Sequence, residues 1–313
     1  MIKRTLYFGN PAYLHLENSQ LLVKLPEVEN NDTLTDRFKK ESVASIPIED
    51  IGVIVIDHQQ ITITSGLIAA LTDNNVAIVS CNASHLPQGL MLPMYAHHTF
   101  TEKMRFQIDS SLPLIKNLWQ QTVMAKIRNQ RILLASTGIN ADKMKYWENS
   151  VGSGDPDNYE GRAAAYYWEN LFQHIQNFTR RRFGDPPNNL LNYGYAILRA
   201  VVARSLVASG MLLALGIHHR NKYNPYCLAD DIMEPYRPYV DKIVIEILKE
   251  NPDTEELTKE IKIRLLQLPV IDIIIDEKSS PLMVGMQRTT ASLASCFEGE
   301  TRKILYPIMI IEK

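Results

Sequence analysis

The sequence has few cysteines and no long apolar run free of charge. Its 313 residues include three widely spaced cysteines, an odd set that predicts neither a disulfide framework nor a zinc cluster. The longest apolar stretch, residues 190–215, contains Arg199 and Arg204, which argues against a membrane span. No apolar leader is found after the first ten residues. These absences favour a cytoplasmic protein with no membrane partner.

The sequence also lacks the glycine-rich loops that bind nucleotide phosphates. It contains neither GxxxxGK[ST] nor GxGxxG after a predicted strand, so we expect no nucleotide cofactor. The net charge is only −2, but residues 104–220 hold 14 Lys and Arg against 8 Asp and Glu, between two acidic flanks. A basic middle third can bind a phosphate backbone, although ordinary fluctuation in composition explains the same count equally well.

The periodicity of apolar residues divides the chain into two parts. Up to residue 93, short runs of Val, Ile, Thr and Tyr alternate with turn residues, including a hairpin at Asn18-Ser19. Residues 94–105 are interpreted as a linker, and residues 106–313 are largely helical in pattern. The prediction is therefore an α+β multi-domain fold, with an N-terminal mostly antiparallel β domain followed by a larger all-α domain. The apolar strands of so small a domain favour a homodimer contact.

Three local predictions concern the second part. A helix over residues 114–136 carries Lys126 on its polar side, together with Arg128 and Arg131. A long apolar helix from Asn189 is predicted to end at Gly216. Residues 269–286 are interpreted as a short β hairpin that turns at residues 278–281.

Two histidines, two aspartates and a glutamate follow that long helix. They are His218, His219, Asp230, Asp231 and Glu234. Imidazole and carboxylate groups together are the ligands of a divalent cation site. On a helix, the spacing of three or four residues places each aspartate on the same face as Glu234. The alternative is a surface loop with a capping aspartate and two solvated histidines.

A further carboxylate is predicted to point into the helical domain. A helix that begins at Asp155 with Pro156 in its first turn puts Glu160 on the apolar face. An inward carboxylate is rarely unpaired, because burial of the isolated charge is costly. Its partner is either an arginine, such as Arg162 or Arg199, or a metal ion.

Three consecutive arginines precede a Gly-Asp-Pro-Pro turn. Arg180, Arg181 and Arg182 must point to different sides of the chain, and some of them must be solvated. Such a run suits a phosphate backbone, but it is also common on an ordinary wet surface.

Three segments together resemble the Cas1 family of CRISPR-associated integrases. They are NYEGRAAAYYW at residues 158–168, RRFGDPPNNLLNYGYAILRA at 181–200 and GIHHRNKYNPYCLADDIMEPYRPYVD at 216–241. The ending IMEPYRP is similar to versions from type II systems. The resemblance covers essentially the whole chain, and its motifs are specific as a set.

The resemblance implies a β domain that dimerises and a helical domain with one metal site. Residue by residue, the metal ligands and catalytic residues would be Glu160, His219 and Glu234. His218, Asp230 and Asp231 are near-site alternatives. A ligating histidine would bind the ion through one ring nitrogen and donate the other to an acceptor. Arg237 would contact phosphate, and DNA contacts are also expected at Arg162 and at the three consecutive arginines.

The implied function is a metal-dependent DNA integrase and endonuclease that inserts new spacers into CRISPR arrays by 3′-OH transesterification. Mg²⁺ or Mn²⁺ would be the cofactor. The implied partners are double-stranded DNA, a second copy of the chain and a dimer of the small Cas2 protein. The alternatives are a transposon-type integrase, a general metal-dependent nuclease of the same fold, and a DNA-binding scaffold without catalysis.

Overall fold

The computed structural model describes residues 3–173, 175, 178–181, 184–252 and 254–310. The chain divides into two compact units, residues 1–96 and 97–313. The predicted order, a β-sheet region followed by a helical region, is confirmed. Within the described ranges, no helix is long and apolar enough to cross a membrane.

The first unit contains two four-stranded sheets, ordered β1-β5-β7-β8 and β4-β3-β2-β6. The strands are β1 (Arg4–Phe8), β2 (Ala12–Glu17), β3 (Gln20–Lys24), β4 (Ala44–Pro47), β5 (Ile51–Ile56), β6 (Ile61–Ile63), β7 (Ala77–Cys81) and β8 (Pro87–Met91). The helices are α1 (Pro26–Glu29), α2 (Asp36–Glu41) and α3 (Ser65–Asp73). Leu14, Leu21, Ile54, Leu67 and Leu71 are fully or almost fully buried between these elements.

The predicted hairpin is present, but the mostly antiparallel pairing is not. β2 and β3 pair antiparallel around Asn18 and Ser19, whose φ values of 49° and 60° suit a two-residue hairpin turn. Among the described residues of this unit, three of the six strand pairings are antiparallel, whereas β1–β5, β5–β7 and β2–β6 are parallel. β5 is apolar at all its side-chain-bearing positions and almost wholly buried, as expected of a central strand with parallel neighbours. Periodicity reports which residues are buried, not the direction of the neighbouring strand.

The second unit is built around one long helix. Its helices are α4 (Phe100–Ile108), α5 (Leu112–Ser136), α6 (Asp142–Ser150), α7 (Tyr159–Leu171), α8 (Asn188–Ala208), α9 (Cys227–Met233), α10 (Arg237–Glu250), α11 (Lys259–Leu265) and α12 (Leu282–Phe297). α8 is buried on nearly every side and contacts α9, α10 and α12. The predicted linker at 94–105 includes the first turns of α4.

Two predicted boundaries in this unit were wrong. The hairpin of β9 (Asp272–Ile275) and β10 (Lys278–Pro281) turns at Asp276 and Glu277, both with positive φ, and not at residues 278–281. Because of this hairpin, the unit is not purely helical. α8 ends at Ala208, and Gly210 supplies the left-handed residue, with a φ of 77°, that follows the helix end. The apolar residues after Gly210 extended the helical pattern falsely to Gly216.

Candidate active site

Two helices and a 3₁₀ turn of the second unit bring a lysine and two glutamates together. α5 carries Lys126, α7 carries Glu160, and a 3₁₀ turn at Glu234–Tyr236 joins α9 to α10. Buried Asn129, about one helical turn after Lys126, donates from Nδ2 to the Pro235 carbonyl at 2.7 Å. That hydrogen bond fastens the Glu234 turn to α5.

The ammonium of Lys126 lies between the two carboxylates. Its Nζ is 2.7 Å from Glu160 Oε1 and 2.6 Å from Glu234 Oε2, so these two oxygens are at most about 5.3 Å apart. The Lys126 and Glu234 side chains are only 9% and 5% exposed, and that of Glu160 is 22% exposed. Two carboxylates at this distance in a buried place would repel each other strongly without the cation between them.

Sequence reasoning missed Lys126, because it assigned this residue to the polar side of α5. In the structure it lies on the inner face, whereas Arg128 and Arg131 both pair with Glu148. A signal was available: Lys126 stands at helical spacing between Thr122 and Asn129, both of which are buried. A charged residue within a buried stripe requires a partner of opposite charge.

Glu160 is held by the start of α7, which differs from the prediction. Asp155 and Asn158 have positive φ, so residues 155–158 form a turn and the helix begins at Tyr159. The Asp155 carboxylate still acts as a cap, since it accepts from the backbone N–H groups of Tyr159 and Glu160, both at 2.9 Å. Neither predicted arginine partner is correct, because Arg162 lies over the Tyr159 ring and Arg199 pairs with Asp230.

Glu234 has a second basic partner, Arg237. Arg237 Nη2 lies 2.9 Å from Glu234 Oε1. Burial raises the pKa of Glu234, but the charges of Arg237 and Lys126 outweigh burial, and the net pKa is below the ordinary value. Glu234 is therefore a buried carboxylate held in its ionised form.

Arg237 packs against a buried cluster of one aspartate and two tyrosines. Asp241 accepts hydrogen bonds from Tyr167 Oη at 2.7 Å and from Tyr195 Oη. Burial raises the pKa of Asp241 to about 6, although both tyrosine hydrogen bonds oppose that shift. The Arg237 guanidinium lies over the Tyr195 ring, 4.9 Å from its centroid. This stacking fixes the plane of the guanidinium that holds Glu234.

His219 is oriented by Asp231, which is fully buried. The Asp231 carboxylate accepts from His219 Nδ1 at 2.6 Å and from the backbone N–H groups of His218 and His219 at 3.0 and 3.1 Å. The hydrogen bond to Asp231 raises the pKa of His219, against an opposing effect of burial. Since Asp231 engages Nδ1, the other ring nitrogen, Nε2, is the one available to a ligand.

Gly216 allows the loop of residues 216–220, which carries both histidines and is called the histidine loop, to approach Asp231. A Cβ at Gly216 would lie 2.5 Å from the His219 carbonyl oxygen and 2.6 Å from Asp231 Oδ2. Both distances are shorter than real Cβ contacts, so only glycine fits without a shift of the loop. The glycine that sequence reasoning assigned to a helix end is therefore a close-approach residue.

The other predicted site residues lie around this centre with different partners. Asp230 accepts hydrogen bonds from Arg199 Nε and from Asn224 Nδ2, both at 2.7 Å. Both of its carboxylate oxygens therefore have partners. The His218 ring stacks on Trp119 and is nearly perpendicular to the His219 ring, at 87°. The two adjacent histidines therefore have separate surroundings.

Of the three consecutive arginines, Arg180 is a structural residue. It donates to Asn188 Oδ1 at 2.9 Å and Asn192 Oδ1 at 2.7 Å and lies over the Tyr195 ring. Arg181 is exposed, and Arg182 lies outside the described residues.

The fit of a divalent cation depends on Lys126. In the part of the chain that the structure describes, no three His, Cys, Asp or Glu side chains stand close enough together to form a ready-made metal site. However, Glu160 and Glu234 already enclose a cation, namely the Lys126 ammonium. Two carboxylates and an imidazole suit Mn²⁺ or Mg²⁺ chemically. Glu160, Glu234 and His219 are therefore donors of the right chemical type for such an ion, and the Lys126 ammonium occupies the space between the two carboxylates.

Comparison with known proteins gives one consistent result. The family described as CRISPR associated protein Cas1 matches residues 8–265. A protein named CRISPR-associated endonuclease Cas1, from Neisseria meningitidis serogroup C, is 35% identical over 294 residues, which is 93% of this chain and 91% of that protein.

Two solved structures share the fold at low sequence identity. A casposase bound to its integration product has a TM-score of 0.77 at 18% identity and covers 100% of this chain and 96% of its own. A Cas6-RT-Cas1–Cas2 complex has a TM-score of 0.71 at 19% identity over 96% of this chain and 35% of that chain.

Proposed function

The chain belongs to the Cas1 family of CRISPR-associated proteins, and from that premise we propose that it is a metal-dependent DNA integrase and endonuclease that inserts spacers into CRISPR arrays. The observation that carries the proposal is a pair of carboxylates, Glu160 and the ionised Glu234, that encloses the Lys126 ammonium near His219. The name of the Neisseria relative, an endonuclease, and the integration product bound to the casposase support the same class of chemistry.

Glu160, Glu234 and Nε2 of His219 would hold Mg²⁺ or Mn²⁺. When bound, the ion would polarise a phosphoryl oxygen and stabilise the negative charge that develops during phosphoryl transfer. The chain's own residues keep these ligands ready. Asp231 orients the His219 ring, and Arg237 keeps Glu234 ionised and in place.

The proposed reaction is a transesterification on DNA. A 3′-hydroxyl oxygen forms a bond to the phosphorus of the target strand, and the bond from that phosphorus to the target's own 3′ oxygen breaks. The proton of the attacking hydroxyl is transferred through solvent, and the leaving 3′ oxygen ends as a new hydroxyl. No covalent protein intermediate is required.

The proposed partners are double-stranded DNA, a second copy of the chain and a dimer of Cas2. The solved complex that contains both Cas1 and Cas2 supports the second protein partner.

A strand-transfer assay tests the proposed function. The protein is incubated with Mn²⁺, a supercoiled plasmid and a labelled DNA fragment that ends in either a 3′-hydroxyl or a 3′-dideoxy terminus. We expect label in the plasmid only with the 3′-hydroxyl, and none in the presence of EDTA. Nicking without label transfer would favour a general nuclease, and DNA binding with neither product would favour a scaffold.

His219 and Asp231 should differ in the size of their effects. We expect His219→Ala to lose strand transfer with both Mg²⁺ and Mn²⁺, because a proposed ligand is removed. Asp231→Asn should lower metal affinity by about 10- to 100-fold, the usual cost of loss of the group that orients a ligating histidine. Titration of both variants with metal measures the change in affinity, and circular dichroism checks that both are folded. Unchanged metal binding in His219→Ala would remove that residue from the ligand set.

Exposed Arg181 provides a test of DNA contact outside the centre. If it contacts phosphate, Arg181→Ala should weaken binding of every DNA sequence equally and reduce the slope of log affinity against log salt by about 1. Lys249→Ala, at an exposed lysine of α10, is the matched control. An unchanged slope would mean that Arg181 is solvated surface only.

A further inference from the structure

A cavity of about 340 Å³ opens beside the candidate active site. Its lining includes Lys116 and Trp119 of α5 and His218 and Arg220 of the histidine loop. The volume is at the small end of the range typical of ligand pockets, about 300–1,000 Å³, and suits one nucleotide better than a stacked base pair.

One wall of the cavity is an aromatic stack. The Trp119 and His218 rings are nearly parallel, at 5°, with centroids 4.0 Å apart. Trp119 is only 2% exposed, whereas His218 is an exposed residue. The buried indole thus covers one side of the imidazole and fixes its plane. A planar ring held rigidly at the surface is a platform on which a further ring can stack.

Two cations flank this platform. Lys116 and Arg220 are both exposed, and among the ion pairs of the described residues neither has an acidic partner. By contrast, Lys126 and Arg237 of the candidate active site are both paired with Glu234. An aromatic platform beside unpaired cations is the usual arrangement for an unpaired nucleotide, whose base stacks while its phosphates meet the positive charges.

The platform is adjacent to the proposed metal ligands. His218 directly precedes His219, and Trp119 also meets the His219 ring edge to face at 6.3 Å. We therefore propose that the cavity lined by Trp119, His218, Lys116 and Arg220 binds one unpaired nucleotide of a DNA strand that enters the active site, with its base stacked on His218. This rests on the proposed function and assigns a role to the histidine that does not bind the metal.

Binding experiments without metal separate this proposal from catalysis. The probes are a blunt DNA duplex and the same duplex with unpaired tails, measured by fluorescence anisotropy in EDTA. We expect His218→Ala to weaken binding of the tailed probe by about 5- to 100-fold, the loss typical of one stacked base, and to leave the blunt probe unaffected. His218→Phe, which retains a flat aromatic ring without the ring nitrogens, should restore binding of the tailed probe.

An abasic residue in the tail tests the same contact on the wild-type protein. The abasic residue is placed at each position of the tail in turn. At one position it should weaken binding to the wild-type protein as much as His218→Ala does. At that same position it should not weaken binding to the His218→Ala variant any further. An equal loss for both probes, failure of His218→Phe to restore affinity, or indifference to every abasic position would overturn the proposal. If the wild type binds neither probe, the proposed function itself fails; if it binds both equally, only the nucleotide site fails.

Discussion

Glu234→Gln is expected to abolish strand transfer and to destabilise the metal-free protein. The substitution keeps the size of the side chain but removes a charge that faces Lys126 at 2.6 Å and Arg237 at 2.9 Å. Lys126 would retain Glu160 as its partner, and Arg237 would lose the carboxylate with which it is paired. Removal of one member of a buried ion pair costs about 3–5 kcal/mol. Loss of a metal ligand should lower the rate of strand transfer by about 10³-fold or more, which corresponds to about 4 kcal/mol.

Glu246→Gln is the control for this variant. The Glu246 side chain is 44% exposed and lies 3.9 Å from Lys242. Loss of its charge should therefore change neither the rate of strand transfer nor the stability of the metal-free protein measurably. Thermal unfolding in EDTA and the 3′-hydroxyl strand-transfer assay are run on both variants. Strand transfer by Glu234→Gln at the wild-type rate would show that the cluster is a structural ion-pair network and that the reaction occurs elsewhere.

Lys126→Met is expected to strengthen metal binding, whereas Glu234→Gln removes a proposed metal ligand. In the wild type an incoming Mn²⁺ must displace the ammonium from between Glu160 and Glu234. Hydrogen bonds to charged groups contribute about 1.5–3 kcal/mol. Without that competition, Mn²⁺ should bind about 10- to 100-fold more tightly. The metal-free protein should unfold at a lower temperature, since two neighbouring carboxylates lose the cation between them.

Calorimetric titration with Mn²⁺ and thermal unfolding with and without the ion measure both effects of Lys126→Met. Lys126→Arg retains a cation at the same place and should stay near the wild type in affinity. Lys249→Met, at an exposed lysine of α10, controls for loss of a positive charge in general. Mn²⁺ affinity that is unchanged or weaker in Lys126→Met would show that the ammonium does not compete with the metal.

Part of the candidate site could be predicted from the sequence. Glu160 is partly buried on α7, as the apolar face of that helix indicated. This prediction succeeds because helical spacing decides which face of a helix a residue occupies. The order of a β-sheet region and a helical region likewise follows from a change in apolar period.

The partners could not be predicted in the same way. Spacing within α7 cannot show that Glu160 meets Lys126 of α5, 34 positions earlier in the chain. Nor can it show that Asp231 is fully buried under the His219 loop and Asp230 is paired with Arg199. Each of these choices depends on how separate elements pack. For the same reason, Gly216 reads as a helix end in the sequence and functions as a close contact in the structure.

We propose that Glu160, His219 and Glu234 hold one divalent cation where the Lys126 ammonium now lies. Anomalous scattering from crystals grown with Mn²⁺ would locate such an ion. We expect a single strong peak per active site among these three side chains, with Lys126 Nζ withdrawn from both carboxylates. If Lys126 still bridged Glu160 and Glu234 at saturating Mn²⁺, with no peak beside them, these residues would not be the metal site.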